Sequence, residues 1–145
     1  MYTTSKEMIL EARRGGYAVP AFNAENLEMV QAIIEAAEEA RSPVMIQTTP
    51  STVKYITLRQ AVAMVKADAE AASVPVSLHL DHCESYEAVA AAIDAGYSSV
   101  MIDASADPLE ENIKKTLEVV QYAHARGVAV ESEMGHIKNG QISLE

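Results

Sequence analysis

The sequence predicts an α/β protein built from parallel βα units, and three observations carry that prediction. Short apolar runs alternate with longer segments in which apolar residues recur at helical spacing. The connections between them are only a few residues long, which suits successive strands joined by right-handed crossovers. The strand-like runs are apolar almost throughout, as expected of a sheet covered by helices.

The elements follow in order. Ser5 to Arg14 can form a helix that closes at Gly15-Gly16, residues that tolerate a left-handed terminus. Tyr17 to Phe22 reads as a strand, with Pro20 best tolerated at a sheet edge. Leu27, Val30, Ile34 and Ala37 make one apolar stripe along a helix from Glu25 to Ala40. Val44 to Thr48 is a second strand, and Thr57 with Gln60 forms a capping box ahead of a helix from Leu58 to Ala72. Val74-Pro75 stops that helix, Val76 to Leu80 is a third strand, and the next helix, Ser85 to Ala95, is closed by Gly96. Ser99 to Asp103 is a fourth strand. Asp107-Pro108-Leu109-Glu110 opens a helix with an oxygen cap, a proline at the first helical position and an acid in the first turn. That helix runs to Arg126 and closes at Gly127, Val128 to Glu133 is a fifth strand, and Met134 to Glu145 leaves it as a loop. Residues 1–145 thus read as a single domain without linker or low-complexity tract. An eight-stranded βα barrel typically takes about 250 residues, so five strands are either an open sheet or the first part of a barrel.

Composition narrows the function classes. With 49% hydrophobic and 22% charged residues, the chain is that of a soluble globular protein. A formal net charge of −10 repels nucleic-acid phosphates and anionic membrane surfaces, which argues against both as partners. The single cysteine, Cys83, rules out an internal disulfide framework and fits a reducing compartment, the cytoplasm being the simplest. Met1 to Glu7 contain no apolar targeting core, and no run approaches the ~20 apolar residues of a membrane span.

Polar groups collect at the carboxyl ends of all five strands: Asn23, Thr48 and Thr49, Asp81 and His82, Asp103 and Ser105, Glu131 and Glu133. In α/β folds that edge is where ligands bind. Ser85 and Asp107 are assigned as helix caps, but Asp81-His82 and Glu131/Glu133 lie at strand tips before any helix begins. A carboxylate beside an imidazole suits a proton carrier and a metal ligand; an ordinary polar loop is the alternative. Alternation puts His79 and Asp81 on one face and Leu78, Leu80 and His82 on the other, so the two histidines cannot share a metal unless the chain bends sharply. The same parity groups Glu131 with Glu133. His, Asp and Glu suit zinc or another borderline divalent ion, although one good histidine does not complete a zinc site.

Other residues have plainer readings. His124 sits near a helix C-terminus, where its charge suits the dipole, and His136 falls in the terminal loop. Cys83 reads as a small, unreactive thiol, and Met45, Met64 and Met101 as core filler. No lysine lies on the five strands, which removes a Schiff-base mechanism from this part of a barrel.

Taken together, Tyr17 to Asn23, Leu78 to His82, Ser99 to Ser105, Glu110 to Ile113 and Val130 to Gly135 resemble, in order, the amino-terminal part of the class II, zinc-dependent ketose-bisphosphate aldolases. The resemblance implies a TIM (β/α)8 barrel, of which this chain would be the amino-terminal half. It implies a lyase of glycolysis and carbohydrate metabolism, reversibly cleaving fructose or tagatose bisphosphate to dihydroxyacetone phosphate and glyceraldehyde 3-phosphate through a zinc-stabilised enediolate. By the same resemblance His82 binds the catalytic zinc, and Asp81 exchanges a proton with the aldehyde-derived oxygen. Asp103 and Glu133 belong to an alternate or second cation position, while Asn23 and Thr49 lie where substrate is contacted. The expected partners are a sugar phosphate and further copies of the chain in a homo-oligomer. The family's remaining zinc histidines and main phosphate loops have no counterpart here, so the isolated chain is expected to be inactive. Cys83, Ser132 and the Lys138-Asn139-Gly140 region differ from the common family pattern. Two alternatives stand beside this reading: a non-catalytic fragment that pairs with another chain to complete a barrel, and a metal-dependent barrel hydrolase.

Overall fold

The computed structural model of the chain describes residues 1–138 and 141–143, with side chains as far as Gly135. Five strands form one parallel sheet in the order β1-β2-β3-β4-β5, so neighbours in sequence are neighbours in space. They are β1 (Ala21–Asn23), β2 (Val44–Thr48), β3 (Val76–Cys83), β4 (Ser99–Ile102) and β5 (Ala129–Ser132). Consecutive βα units of a TIM barrel have this order. The helices between them are α2 (Leu27–Ala40), α3 (Pro50–Ile56), α4 (Leu58–Ala71), α5 (Tyr86–Ala95) and α6 (Leu109–His124), preceded by α1 (Ser5–Gly15).

Strand alternation divides the sheet into two chemically different faces. Ile46, Leu78, Val100 and Ile102 pack with Val30 and Ile34 of α2, Val65 of α4, Val89 of α5 and Val119 of α6 in one apolar cluster. That layer removes the helix stripes from water and supplies the main driving force for folding. The opposite face carries Gln47, His79 and Ser99 in one register row, with Met101 and Glu131 in the next. On this face α1 docks through Ser5, whose hydroxyl lies 2.8 Å from that of Ser99. The first residues add an isolated parallel bridge between Tyr2 and Val76.

Local chemistry explains most boundaries. Asn26 caps α2 by accepting from Met29 N–H, Thr57 caps α4 through Gln60 N–H, and Ser85 caps α5 through Ala88 N–H. Gly96 closes α5 at φ 113°, a conformation that L side chains rarely adopt. β1 is shorter than predicted and lies at the sheet edge, where Pro20, lacking an N–H, contributes only its carbonyl, to Met45 N–H.

Four expectations differ from the structure. The segment 50–56 is a helix that seven residues could not reveal by periodicity; its signal was Thr49 as cap with Pro50 at the first helical position. Asp107 is not the cap of α6, which begins at Leu109 without a side-chain cap, because the Asp107 carboxylate engages Lys115 at 2.6 Å. β3 runs three residues beyond Leu80 through an irregularity. Where a loop was expected from Met134 on, β6 (His136–Lys138) and β7 (Gln141–Ser143) pair antiparallel, and the Asn139-Gly140 dipeptide between them in sequence is a signal for such pairing. Lys138 therefore lies on a strand, outside the parallel sheet. Among the described residues no helix is long and apolar enough to cross a membrane.

Candidate active site and metal centre

The chemistry begins where β3 leaves ideal geometry. His79 pairs with Ser99 and Leu80 with Val100, but Cys83 pairs with Ile102, so β3 spends one more residue than β4 between the last two rungs. This is a β-bulge, a device that re-aims side chains. His82 takes up the bend at φ 47°, an unusual value for a residue with a Cβ. The chain does bend sharply here, but the bend does not bring the two histidines together. His79 stays on the inner face, buried, while His82 is half exposed at the tip and turned toward β4.

His82, Asp103 and Glu133 meet there, each offering one ligand atom, all within 4.8 Å of one another. His82 Nδ1 lies 2.8 Å from Asp103 Oδ2. That hydrogen bond raises the imidazole pKa, with burial opposing it and the charges of Asp81, Asp103 and Glu133 adding to it. Burial pushes Asp103 the other way, but the bonds from His82 and from the Ser105 hydroxyl and N–H outweigh it and hold the carboxyl below its ordinary range. One imidazole and two carboxylates are a donor set that fits zinc or another borderline divalent ion. Asn112 lies beneath, donating to the carbonyls of Ala104 and Glu133.

Asp81 occupies the neighbouring inner face and is mostly shielded, at 16% side-chain exposure. Its Oδ2 accepts from Gln47 Nε2 at 2.9 Å, and the same amide donates to Asn23 Oδ1 at 3.0 Å. Gln47 thereby ties the ends of β1, β2 and β3 together. Its sequence signal is an amide that follows three apolar residues in β2. His79 shares this face with Asp81, as alternation predicts; its Nε2 lies 3.9 Å from Asp81 and 3.5 Å from Glu131 and has no hydrogen-bond partner. Its other nitrogen is fixed by Ser99 at 2.7 Å, and Ser99 by Ser5. Burial drives the His79 pKa down to about 4, with the nearby charge of His82 adding to the effect. Burial and then repulsion by Asp81 raise that of Glu131.

The predicted residues fall into two groups. Asp81, His82, Asp103 and Glu133 converge at adjoining strand ends. Asn23 is exposed but linked to Asp81 through Gln47, whereas Thr49 serves α3 as its cap. Glu131 and Glu133, paired by alternation, diverge: β5 ends at Ser132, so Glu131 faces His79 and Glu133 joins His82. Cys83 is buried, and burial pushes its thiol pKa up, as befits an inert side chain. Met45 and Met101 are core residues, whereas Met64 is only partly buried. His124 ends α6. The side chain of His136 lies outside the described residues.

Comparison with known proteins adds three findings. Residues 3–144 match the family model for class-II fructose-bisphosphate aldolase. Among curated relatives, a fructose-bisphosphate aldolase of Geobacillus stearothermophilus is 53% identical over 139 residues, covering 94% of this chain and 48% of the relative. A probable fructose-bisphosphate aldolase of Bacillus subtilis is 49% identical over 134 residues, covering 90% and 47%. Among solved structures, the YdjI aldolase of Escherichia coli K12 superposes with a TM-score of 0.89 at 39% identity, covering 94% of this chain and 53% of that one. A putative fructose-1,6-bisphosphate aldolase from Coccidioides immitis gives 0.86 at 40% identity, covering 96% and 49%. The chain therefore spans about half the length of the relatives it matches.

Proposed function

Given that this chain belongs to the class II fructose-bisphosphate aldolase family, we propose that it carries the proton-transferring acid and a metal-binding trio of an aldolase. The substrate is a ketose 1,6-bisphosphate, fructose or tagatose, cleaved reversibly to dihydroxyacetone phosphate and glyceraldehyde 3-phosphate. The observation that carries this reading is the juxtaposition at the β3 tip of a shielded carboxylate, Asp81, with the convergent His82, Asp103 and Glu133.

In the cleavage direction Asp81 takes the proton of the C4 hydroxyl while the C3–C4 bond breaks, and in synthesis it returns that proton to the aldehyde oxygen. Gln47 holds the carboxylate toward the space above the strands, and His79 gives it a buried, neutral wall. His82 would bind the catalytic zinc and, together with Asp103 and Glu133, would hold an alternate or second cation position. Zinc, when bound, supplies Lewis-acid polarisation of the ketose carbonyl. Asn23 contacts substrate beside Asp81, and Thr49 does so only by sharing its hydroxyl with the cap of α3. The protein works in the cytoplasm, where Cys83 stays reduced, and as a homo-oligomer. With one imidazole in the trio, the 145-residue chain alone turns over no substrate.

A second reading is favoured by the sheet edges. Phe22 on β1 is 50% exposed, beside Pro20 and Ile33, and Ile9 and Leu10 of α1 are bare beside Val130 on β5. An additional βα segment packed on both edges would bury these groups and complete a barrel.

The test is a coupled cleavage assay on the chain alone and mixed with the carboxy-terminal half of the Geobacillus relative, with and without Zn2+. The reading expects zinc-dependent cleavage of fructose or tagatose 1,6-bisphosphate only in the mixture, lost with Asp81→Ala while zinc stays bound. Phosphate release without carbon–carbon cleavage, or full turnover by Asp81→Ala, would overturn it. Cleavage by the chain alone would refute the claim of inactivity.

A further inference from the structure

We infer that Asn112 is a positioning residue for the metal trio, its side-chain amide setting the spacing between Asp103 and Glu133. The inference rests on the metal reading above. The paired register of β4 and β5 ends at Ile102 opposite Ser132, and Asp103 and Glu133 are the next residue of each chain. Among the described residues no further ladder bond fixes them relative to each other. Asn112 supplies the missing rung. From the first turn of α6, 5% exposed, its Nδ2 donates at 3.0 Å to the Ala104 carbonyl and at 2.8 Å to the Glu133 carbonyl. One planar amide thus grips the backbone beside one donor and at another.

The amide is itself held. Its Oδ1 accepts from the Thr116 hydroxyl at 3.2 Å, and its backbone N–H donates to Pro108. Every side-chain hydrogen-bonding direction used here needs asparagine: aspartate has no donor at neutral pH, leucine has none at any pH, and glutamine is one methylene too long. Asp103 has independent support from Ser105 and His82, so the grip acts mainly on Glu133, the donor with fewest other restraints. Groups behind a ligand typically alter metal affinity about 10- to 100-fold when removed.

The test is a titration of the 145-residue chain with Mn2+ alone, following the free ion by electron paramagnetic resonance, with Zn2+ as competitor. Wild type binds one Zn2+-displaceable Mn2+, and His82→Ala does not; failure of the wild type to bind would sink the metal reading itself. Asn112→Leu, which keeps the branching at Cγ and the neutrality but removes both donors, should weaken binding about 10-fold or more and broaden the bound-ion spectrum. Val65→Ala, a core change in α4 of comparable effect on unfolding, should leave affinity within about twofold. Wild-type affinity in a folded Asn112→Leu, or an equal loss in Val65→Ala, would overturn the positioning role. Should Asn112→Leu fail to fold, Thr116→Val, which frees the amide without removing it, should still weaken binding measurably, and unchanged affinity there would refute the inference.

Discussion

Acidification should destabilise this chain through His79. The side chain is 1% exposed, neutral, and held by Ser99, so a proton placed on it must be accommodated without water. Its pKa falls from an ordinary 6.5 to about 4, burial being the main cause. At about 1.36 kcal/mol per pH unit, that fall is worth about 3 kcal/mol. The sign follows from which state binds the proton first. Below pH 6.5 the unfolded chain protonates its histidine while the folded chain does not, so stability is full above that pH and declines as pH falls toward about 4. Asp81 and Glu131, at 3.9 and 3.5 Å, would partly shelter an imidazolium, which makes about 3 kcal/mol an upper bound. Urea denaturation of wild type and His79→Asn at several pH values between 7 and 4.5 isolates the effect, because asparagine can keep a hydrogen bond to Ser99 and does not titrate. Wild type should lose up to about 1.4 kcal/mol per pH unit more than the variant. Parallel pH dependences in the two proteins would refute the reasoning.

Three further outcomes are expected. Leu78→Ala removes a fully buried side chain at the centre of the helix-facing layer and should cost about 2 to 5 kcal/mol, read as a lower urea midpoint at unchanged slope. Gly96→Ala places a Cβ at φ 113° and 3.4 Å from Val62 Cγ1, and should lower stability by about 1 to 3 kcal/mol in the same assay. Metal uptake needs an unprotonated ring nitrogen on His82, whose pKa is raised, so calorimetry in buffers of different ionisation enthalpy should show proton release. Because the His82 pKa is raised, affinity should fall on acidification from a higher pH than an ordinary histidine would give.

How much of this was legible in the sequence depended on whether the signal was local. The apolar runs of β2, β3 and β4 and the stripe of α2 were readable because burial on one face repeats at a fixed period. Asp81, His82, Asp103 and Glu133 stood out because strand ends are where charge has no structural reason to gather. The roles of Gln47, His79 and Asn112 were not readable, because each depends on which strand ends lie side by side. Gln47 reaches Asp81 across 34 residues, and Asn112 reaches Glu133 across 21. The separation of Glu131 from Glu133 was likewise hidden, since alternation holds only while the chain remains a strand and β5 stops between them.

The central claim is that the ends of β3, β4 and β5 make one cation site through His82, Asp103 and Glu133. Zinc X-ray absorption on the chain with substoichiometric Zn2+ tests it most directly. The account predicts a shell of nitrogen and oxygen at about 2.0 to 2.2 Å with a single imidazole, lost in His82→Ala. A sulfur shell at about 2.3 Å, or a zinc spectrum that His82→Ala leaves unchanged, would contradict it.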